Sequence, residues 1–492
     1  MLFLLRLGGE VTTKSRRVRA RFQQRLVNNI HHALNHSGIE HRVRYEWSRL
    51  FVETQDINAL TILTRIFGIR SISEIEHTCE PVLQTIIQSG EEWYRDPVKG
   101  KTFAVRARRS GEHGFSSQDV NEQLGAVLVP YGKVNLGNPD ITVHVEVRPD
   151  KAYFFSTHQR GAGGLPVGVE GNATCLISGG FDSAVAAWGM LKRGVCLDYV
   201  LCNLAGPANE RSVLRIVKIL SDAWGQGSRP RLHVVEFNEV VSALRENIQQ
   251  KYIQVVLKRL MYRVGAQIAR VSKSQALVTG EAIGQVSSQT LTNLRAIDEV
   301  APIPVLRPLV TMDKEDIINQ SRHIGTYSIS ASVQEYCALV PERPVTAARI
   351  DRVRKEESNI DMTLLSQAVD KRRILSVHRM DPSEMVVPYI YTKEVPQDAV
   401  VIDCRSRHHF DRWHYPDAIH FELDELMQKF QSLKKTEKYV LYCPFGLQSS
   451  VVAERMQKAG YEAYSFKGGT QTLLEYTKEH GIDQEDSFME DE

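Results

Sequence analysis

The sequence predicts a multidomain chain, α+β in its first third and α/β beyond it. Three observations carry this. The chain has 492 residues, several times the ~100–150 at which single domains are commonest. Strand and helix patterns mix loosely at first; from residue 173 continuous apolar strands alternate with helices, the mark of a parallel doubly wound sheet. Two segments of other composition interrupt the pattern: Gly-rich RGAGGLPVG at 160–168, a linker or loop, and a stretch over 379–398 with Pro382, Pro388 and Pro396.

Residues 1–58 read as a β-α-β unit: LFLLRL, a helix starting in TKSRRVRARFQQRL, then RVRYEW and RLFVET. Val18, Phe22 and Leu26 fall on one helix face. Over 59–165, TILTRIFGIRSISEI, PVLQTIIQSGEEWY and SSQDVNEQLGAVLVPY predict helices, KTFAVRARR a strand, and ITVHVEVRPDKAYFFSTHQR paired strands. Over 170–378 the strands TCLIS, CLDYVLCNL, LHVVEF and ALVTG alternate with the helices AVAAWGMLKRG, ERSVLRIVKILSDAWG and VLKRLMYRVGAQIARVSKS. A shorter alternation over 399–480 runs VVIDCRS, KYVLYC, SSVVAERMQKAG, EAYSFKGG, and an acidic tail closes the chain at 481–492.

The charge is nearly balanced, 61 Lys+Arg against 59 Asp+Glu, which excludes a chromatin-type basic protein and an acidic disordered chain. Its distribution is uneven. Residues 1–30 hold Arg6, Lys14, Arg16, Arg17, Arg19, Arg21 and Arg25 against Glu10 alone, and the tail is acidic. The basic cluster is a solvated helix face or a phosphate-binding one. No run of 18 apolar residues predicts a membrane span, and the apolar start is too short for a signal peptide, so the expected compartment is the cytoplasm. Seven cysteines without C-x-x-C spacing suit neither a disulfide framework nor a local zinc loop. His32 and His36 share a helix face without a third ligand nearby, and His408, His409 and His414 lack ligand spacing, so no metal site is expected at either group.

Ser178-Gly179-Gly180-Phe181-Asp182-Ser183 follows a strand and opens a helix. Two glycines let backbone approach a polyphosphate, and Ser178, Ser183 and the first helical N–H groups are placed to donate to phosphate oxygens. The motif resembles the pyrophosphate loop of ATP pyrophosphatases, which adenylate a substrate and release pyrophosphate. Further segments, MLFLLRLGGEVTTKSRRVRARF, LKRLMYRVGAQIA, ALVTGEAIGQVSSQTLTNLRAID, LRPLVTMDKEDIINQSRHIGT and EYC, extend the likeness over residues 1–480. There the chain resembles the tRNA 4-thiouridine synthetase (tRNA sulfurtransferase) family in its long form.

The resemblance implies a ferredoxin-like domain (1–58), a THUMP RNA-binding domain (59–165), a doubly wound ATP-pyrophosphatase domain (170–378), a linker (379–398) and a rhodanese domain (399–480). It implies ATP, with Mg²⁺ positioned through Asp182, and tRNA as ligand; Lys14, Arg16, Arg17, Arg19 and Arg21 of the basic cluster are the candidate RNA contacts by charge pattern. The implied ATP contacts are backbone at Leu176 and Ile177, the loop residues Ser178, Gly179, Gly180, Asp182 and Ser183, then Lys258, Gly280 and Gln289. Lys314 matches a lysine that neutralises charge during adenylation. By pattern alone Lys258 and Lys314 are ordinary surface or salt-bridged lysines.

KYVLYCPFGLQSSVVAERM places Cys443 in a loop before a helix N-terminus, where a thiol gains nucleophilicity. It resembles the rhodanese active loop, whose cysteine carries a persulfide, and Asp403 and Arg405 match the rhodanese D-x-R. Gln448 stands where many rhodaneses have arginine, which disfavours thiosulfate as donor but not a protein persulfide. Cys337 matches the family cysteine that forms a redox disulfide with the persulfide cysteine; by pattern it is a lone loop thiol. Cys404 alternates into a strand core, and Cys79, Cys175, Cys196 and Cys202 lie in apolar surroundings and read as packing residues. The implied reaction is ATP-dependent thiolation of tRNA uridine 8. A cysteine desulfurase is the implied sulfur donor and the thiamine-thiazole sulfur-carrier protein a further acceptor. A homodimer is left open. The rival readings are sulfuration of that carrier alone and a noncatalytic tRNA-binding module; a methyltransferase finds no G-x-G-x-G turn here.

Overall fold

The computed structural model describes residues 1–46, 49–204, 207–331, 343–380, 390–446 and 448–482. It forms two compact units: Met1–Gly171 with Met190–Cys196 and Asp222–Ser228, and the remainder.

In the first unit the buried strand Leu2–Leu7 lies within an antiparallel sheet ordered Gln159–Arg160, Ile69–Glu74, Leu2–Leu7, Arg49–Thr54, His41–Glu46. Helix Arg16–His36 buries Phe22, Leu26 and Ile30 in the core of this domain. One expected helix is corrected. TILTRIFGIRSISEI is helical only at its start, as the end of helix Asn58–Thr64, and then becomes the strand Ile69–Glu74. Gly68 at φ +102° leaves helical space, and the residues beyond it gain a ladder against Leu2–Leu7. The sheet thus draws on residues past 58. The Gly-rich segment is a folded loop rather than a free linker: Leu165 and Val167 are buried, and Arg25 Nε donates to Val167 O at 2.8 Å.

A second sheet in this unit is ordered His77–Cys79, Ala152–Phe155, Ile141–Val147, Thr102–Arg109, Lys133–Val134. Helices Leu83–Tyr94 and Ser117–Leu128 share its core through Ile86, Tyr94, Leu124 and Leu128. Ser116 and Asp119 form a capping box at the second helix. The buried Glu146 of this sheet accepts from Arg6 Nε at 3.2 Å and Arg49 Nε at 2.7 Å, both on the first sheet.

The second unit opens with a sheet ordered Val305–Leu306, Leu277–Val278, Asn172–Leu176, Cys196–Asn203, Arg231–Glu236, Arg373–Ser376. From Asn172–Leu176 the chain builds outward on one side and returns on the other at Leu277. The end of Asn172–Leu176 is therefore a topological switch point, where open α/β sheets bind ligands. Helix Ile253–Ser272 buries Val256, Leu260, Val264 and Ile268 in the core. A separate parallel sheet is ordered Tyr391–Thr392, Glu462–Phe466, Lys438–Tyr442, Ala399–Asp403, Ile419–His420. Its edge strand Tyr391–Thr392 falls inside the expected linker; two residues carry too little pattern to announce a strand. Among the described residues no helix is long and apolar enough to cross a membrane.

Candidate functional site

The strand Asn172–Leu176 ends at the switch point, and the chain turns through Ser178–Gly180 into helix Phe181–Lys192. Ile177, buried, donates its N–H to Val200 O at 2.9 Å. One hydroxyl ties the turn: Ser183 Oγ accepts from Ser178 N–H at 3.0 Å and donates to Ser178 O at 3.1 Å. Ser183 thus spends its proton on the loop, where the sequence pattern offers it to phosphate, because the tight turn brings the Ser178 carbonyl within reach. Ser178 is exposed, and Gly179 and Gly180 are buried. The N–H groups of a first helical turn have no acceptor inside the helix, and they carry its positive end. A Cβ on Gly280 would stand 2.5 Å from Ser183 N and 2.6 Å from the Asp182 carbonyl carbon. Only glycine lets the Leu277–Val278 strand end lie against this loop.

Asp182 and Lys314 meet across 132 residues, with Lys314 Nζ donating to the two carboxylate oxygens at 2.9 and 3.0 Å. Gln285 Nε2 adds a third bond at 3.0 Å. Lys314 Nζ also sits 5.8 Å from the Phe181 ring centre, and Phe181 stacks on Tyr327.

Lys258, on helix Ile253–Ser272, pairs with Glu281 at 2.7 Å. The same buried carboxylate accepts from Tyr262 OH at 2.5 Å, Arg307 Nε at 2.9 Å and Thr279 Oγ1 at 3.1 Å. Burial alone pushes the Glu281 carboxyl up; the Lys258 ammonium, the hydrogen bonds of Lys258 and Tyr262, and Arg307 outweigh burial and bring it down to about 2. Gln289 is buried, and its Oε1 accepts from Ala282 N–H at 3.3 Å. One segment, Gly280 to Gln289, thus touches the loop, Asp182 and, through Glu281, Lys258. Glu281 and Gln285 escape motif reading; the signal for Glu281 is a carboxylate placed directly after an apolar strand and its glycine, and Gln285 has none.

Lys14, Arg16, Arg17 and Arg21 are exposed at the start of helix Arg16–His36. Arg19 is half-buried and donates to Thr12 O at 3.4 Å. Lys14 and Arg21 both lie near the Phe22 ring, at 5.9 and 5.3 Å.

Cys443 follows the strand Lys438–Tyr442 and is 1% exposed. Its sulfur accepts from Ser449 N–H at 3.5 Å and Ser449 O–H at 3.3 Å, at the start of helix Gln448–Lys458. Ser465 Oγ braces the loop by donating to Gly446 O at 2.8 Å. A Cβ on Gly469 would stand 2.5 Å from Cys443 O, so the loop rests on bare backbone. Asp403, fully buried, accepts from Arg405 Nε at 3.0 Å and from Tyr442 OH at 2.7 Å. That carboxylate turns the D-x-R arginine inward as a brace. Gln448 opens the helix after the loop.

Cys175 is buried, and burial pushes its thiol up to about 12. Cys404 is likewise buried. His32 lies 3.0 Å from Gln226 Oε1, and His414 stacks on Phe410. Among the described residues, no group of three or more His, Cys, Asp and Glu side chains is arranged to hold a metal ion. Cys337 and residues 483–492 lie outside the described residues.

Family models match in the same order along the chain. They are a ThiI ferredoxin-like domain at 2–73, a THUMP domain at 70–157, the "Thiamine biosynthesis protein (ThiI)" model at 168–362, and a rhodanese-like domain at 391–475. The tRNA sulfurtransferase of Desulfurococcus amylolyticus is 38% identical over 472 residues, 95% of this chain and 97% of that one. That of Aeromonas salmonicida is 36% identical over 94% of this chain and 98% of its own. A crystal structure of a 4-thiouridine synthetase–RNA complex with bound ATP superposes with a TM-score of 0.67 at 29% identity, covering 76% of this chain and 98% of that one.

Proposed function

The chain belongs to the tRNA sulfurtransferase family in its rhodanese-bearing form, and from that membership we propose that it converts uridine 8 of tRNA to 4-thiouridine through an adenylated uridine and a Cys443 persulfide. The observation that carries this is the Asp182–Lys314 pair on a phosphate-cradling turn, in one chain with a buried thiol at a helix start. The solved 4-thiouridine synthetase relative, with RNA and ATP bound, supports ATP and tRNA as ligands here.

The uridine C4 oxygen is a poor leaving group. In the proposed first step it attacks the α-phosphorus of ATP and pyrophosphate departs. Gly179 and Gly180, with the first N–H groups of helix Phe181–Lys192, cradle the leaving phosphates, and Ser178 flanks them. Lys314 neutralises the developing charge, while Asp182 and Gln285 hold it in place. Leu176 and Ile177 offer backbone to adenine, Gln289 its amide to the base or ribose edge, and Lys258 reaches ATP from its seat on Glu281. Asp182, the carboxylate at the turn, would help to hold Mg²⁺ brought with ATP by sharing its oxygens with Lys314; when bound the ion would supply further charge neutralisation.

In the second step, the outer sulfur of the Cys443 persulfide attacks C4 and AMP leaves. Cys337 then attacks Cys443 Sγ, which forms the Cys337–Cys443 disulfide and frees the thiolated base. One two-electron reduction resets the pair. The exposed arginines at the start of helix Arg16–His36 bind tRNA phosphates. We further propose a cysteine desulfurase as the donor, the thiamine-thiazole sulfur carrier as a second acceptor, and the cytoplasm as the compartment. The proposed domain order is ferredoxin-like, THUMP, ATP pyrophosphatase and rhodanese.

The test incubates the protein with ATP, Mg²⁺, a cysteine desulfurase, cysteine and unmodified tRNA. A 4-thiouridine absorbance band is expected. Its absence, with persulfide loading verified, would sink the proposal.

A further inference from the structure

Cys404 stands one residue past the strand Ala399–Asp403, and Cys443 one residue past Lys438–Tyr442. These strands are parallel, with Ile402 opposite Leu441 and Asp403 opposite Tyr442. The ladder continues one step, since the Cys404 N–H donates to Tyr442 O at 2.8 Å. The next registered pair is therefore Cys404 and Cys443. Paired residues in a parallel ladder point to the same side of the sheet, and Ile402, Cys404, Leu441 and Cys443 share one core cluster. Adjacent strands lie ~4.8 Å apart, within the ~4.4–6.8 Å of Cα separation that a disulfide spans. Both residues are free thiols, 4% and 1% exposed.

We propose that Cys404 is a second resolving thiol for Cys443. When the Cys443 persulfide has no acceptor, the Cys404 sulfur attacks Cys443 Sγ and forms a Cys404–Cys443 disulfide. The outer sulfur leaves with the bonding pair as hydrogensulfide, and Cys404 releases its proton. Two cysteine sulfurs end as a disulfide and the sulfane sulfur is reduced to sulfide, so no outside oxidant enters. A dithiol reductant restores the pair. The exchange gives the sulfur-carrying domain a reversible resting state of its own, separate from the Cys337 relay. It rests on the reading of Cys443 as persulfide carrier. Burial pushes the Cys404 thiol well up, so the exchange is slow at neutral pH and accelerates as pH rises.

Full-length Cys337→Ser protein would be loaded with a desulfurase and cysteine, without ATP or tRNA, then cleared of both. Peptide mapping and sulfide trapping would follow it at pH 7 and pH 8. The Cys443 persulfide should decay into a Cys404–Cys443 link with one equivalent of sulfide, roughly tenfold faster at the higher pH. Cys404→Ala and Cys404→Val in the same background should keep the persulfide, and their loading reports that the domain is folded. A persulfide that persists unlinked beside an intact Cys404, or sulfane sulfur that moves onto Cys404, overturns this inference alone. No persulfide on Cys443 at all overturns both this inference and the reading on which it rests.

Discussion

Single side chains decide which step fails. Asp182 holds Lys314 with two bonds, so Asp182→Ala leaves the ammonium without its anchor. AMP formation with tRNA should fall by about 10²–10³-fold, the usual cost of a lost charge-stabilising group. Labelled sulfur should still load on Cys443. Full AMP formation in this variant would remove Asp182 from the site. Glu281 is the second such residue. Its carboxyl sits near 2 in the fold against 4.5 unperturbed, which corresponds to about 3 kcal/mol. A depressed carboxyl stabilises the fold above its unfolded value. That stability should drain away as pH falls from 4.5 towards 2. Glu281→Gln leaves Lys258 without its buried counter-charge, while Arg307 keeps Asp298, and should cost about 3 kcal/mol. Urea melts of the two proteins at pH 7 and pH 3 check both claims: the gap should narrow in acid.

At the level of elements, close backbone approaches and one helix end matter most. Gly280→Ala drives a Cβ into the Asp182–Ser183 backbone, so the turn must shift. ATP affinity should fall at least about tenfold, a loss of ~1.4 kcal/mol, while tRNA binding is retained. Equilibrium dialysis with ATP and a tRNA filter assay separate the two. The basic helix is tested by salt. Replacing Arg16, Arg17 and Arg21 together by alanine should flatten the log–log salt dependence of tRNA binding by about 0.7–0.9 per lost phosphate contact. An unchanged slope would make this end of helix Arg16–His36 a solvated face only.

Across the whole molecule, the proposed chemistry joins a phosphate turn to a sulfur carrier far along the chain. Cys443→Ser should take up no sulfur at that position and make no 4-thiouridine. Cys337→Ser should load and adenylate normally, then stall when the outer sulfur must leave. In the wild-type protein, turnover should depend on reductant, and enzyme quenched without it should yield the Cys337–Cys443 peptide on mapping. Full activity of both single variants would end the relay.

Much of this was legible in the sequence. The doubly wound order follows from continuous apolar strands between amphipathic helices, because only a sheet covered on both faces tolerates such strands. SGGFDS marks the turn because it joins backbone permissiveness to a helix N-terminus. The D-x-R and the Cys443 loop were visible as local motifs for the same reason: their residues are neighbours along the chain. Other features came only with tertiary structure. The strand after Gly68 needs Leu2–Leu7 as its partner, and the Tyr391–Thr392 edge needs Glu462–Phe466; neither has enough pattern alone. Lys314 on Asp182 spans 132 residues, the Glu281 hub gathers side chains from separate elements, and Cys404 meets Cys443 only through strand register. Sequence period determines which face of an element is apolar. Which charges and thiols then meet is set by how the elements pack, because electrostatic and covalent partners act over a few ångströms of space, whatever their distance along the chain.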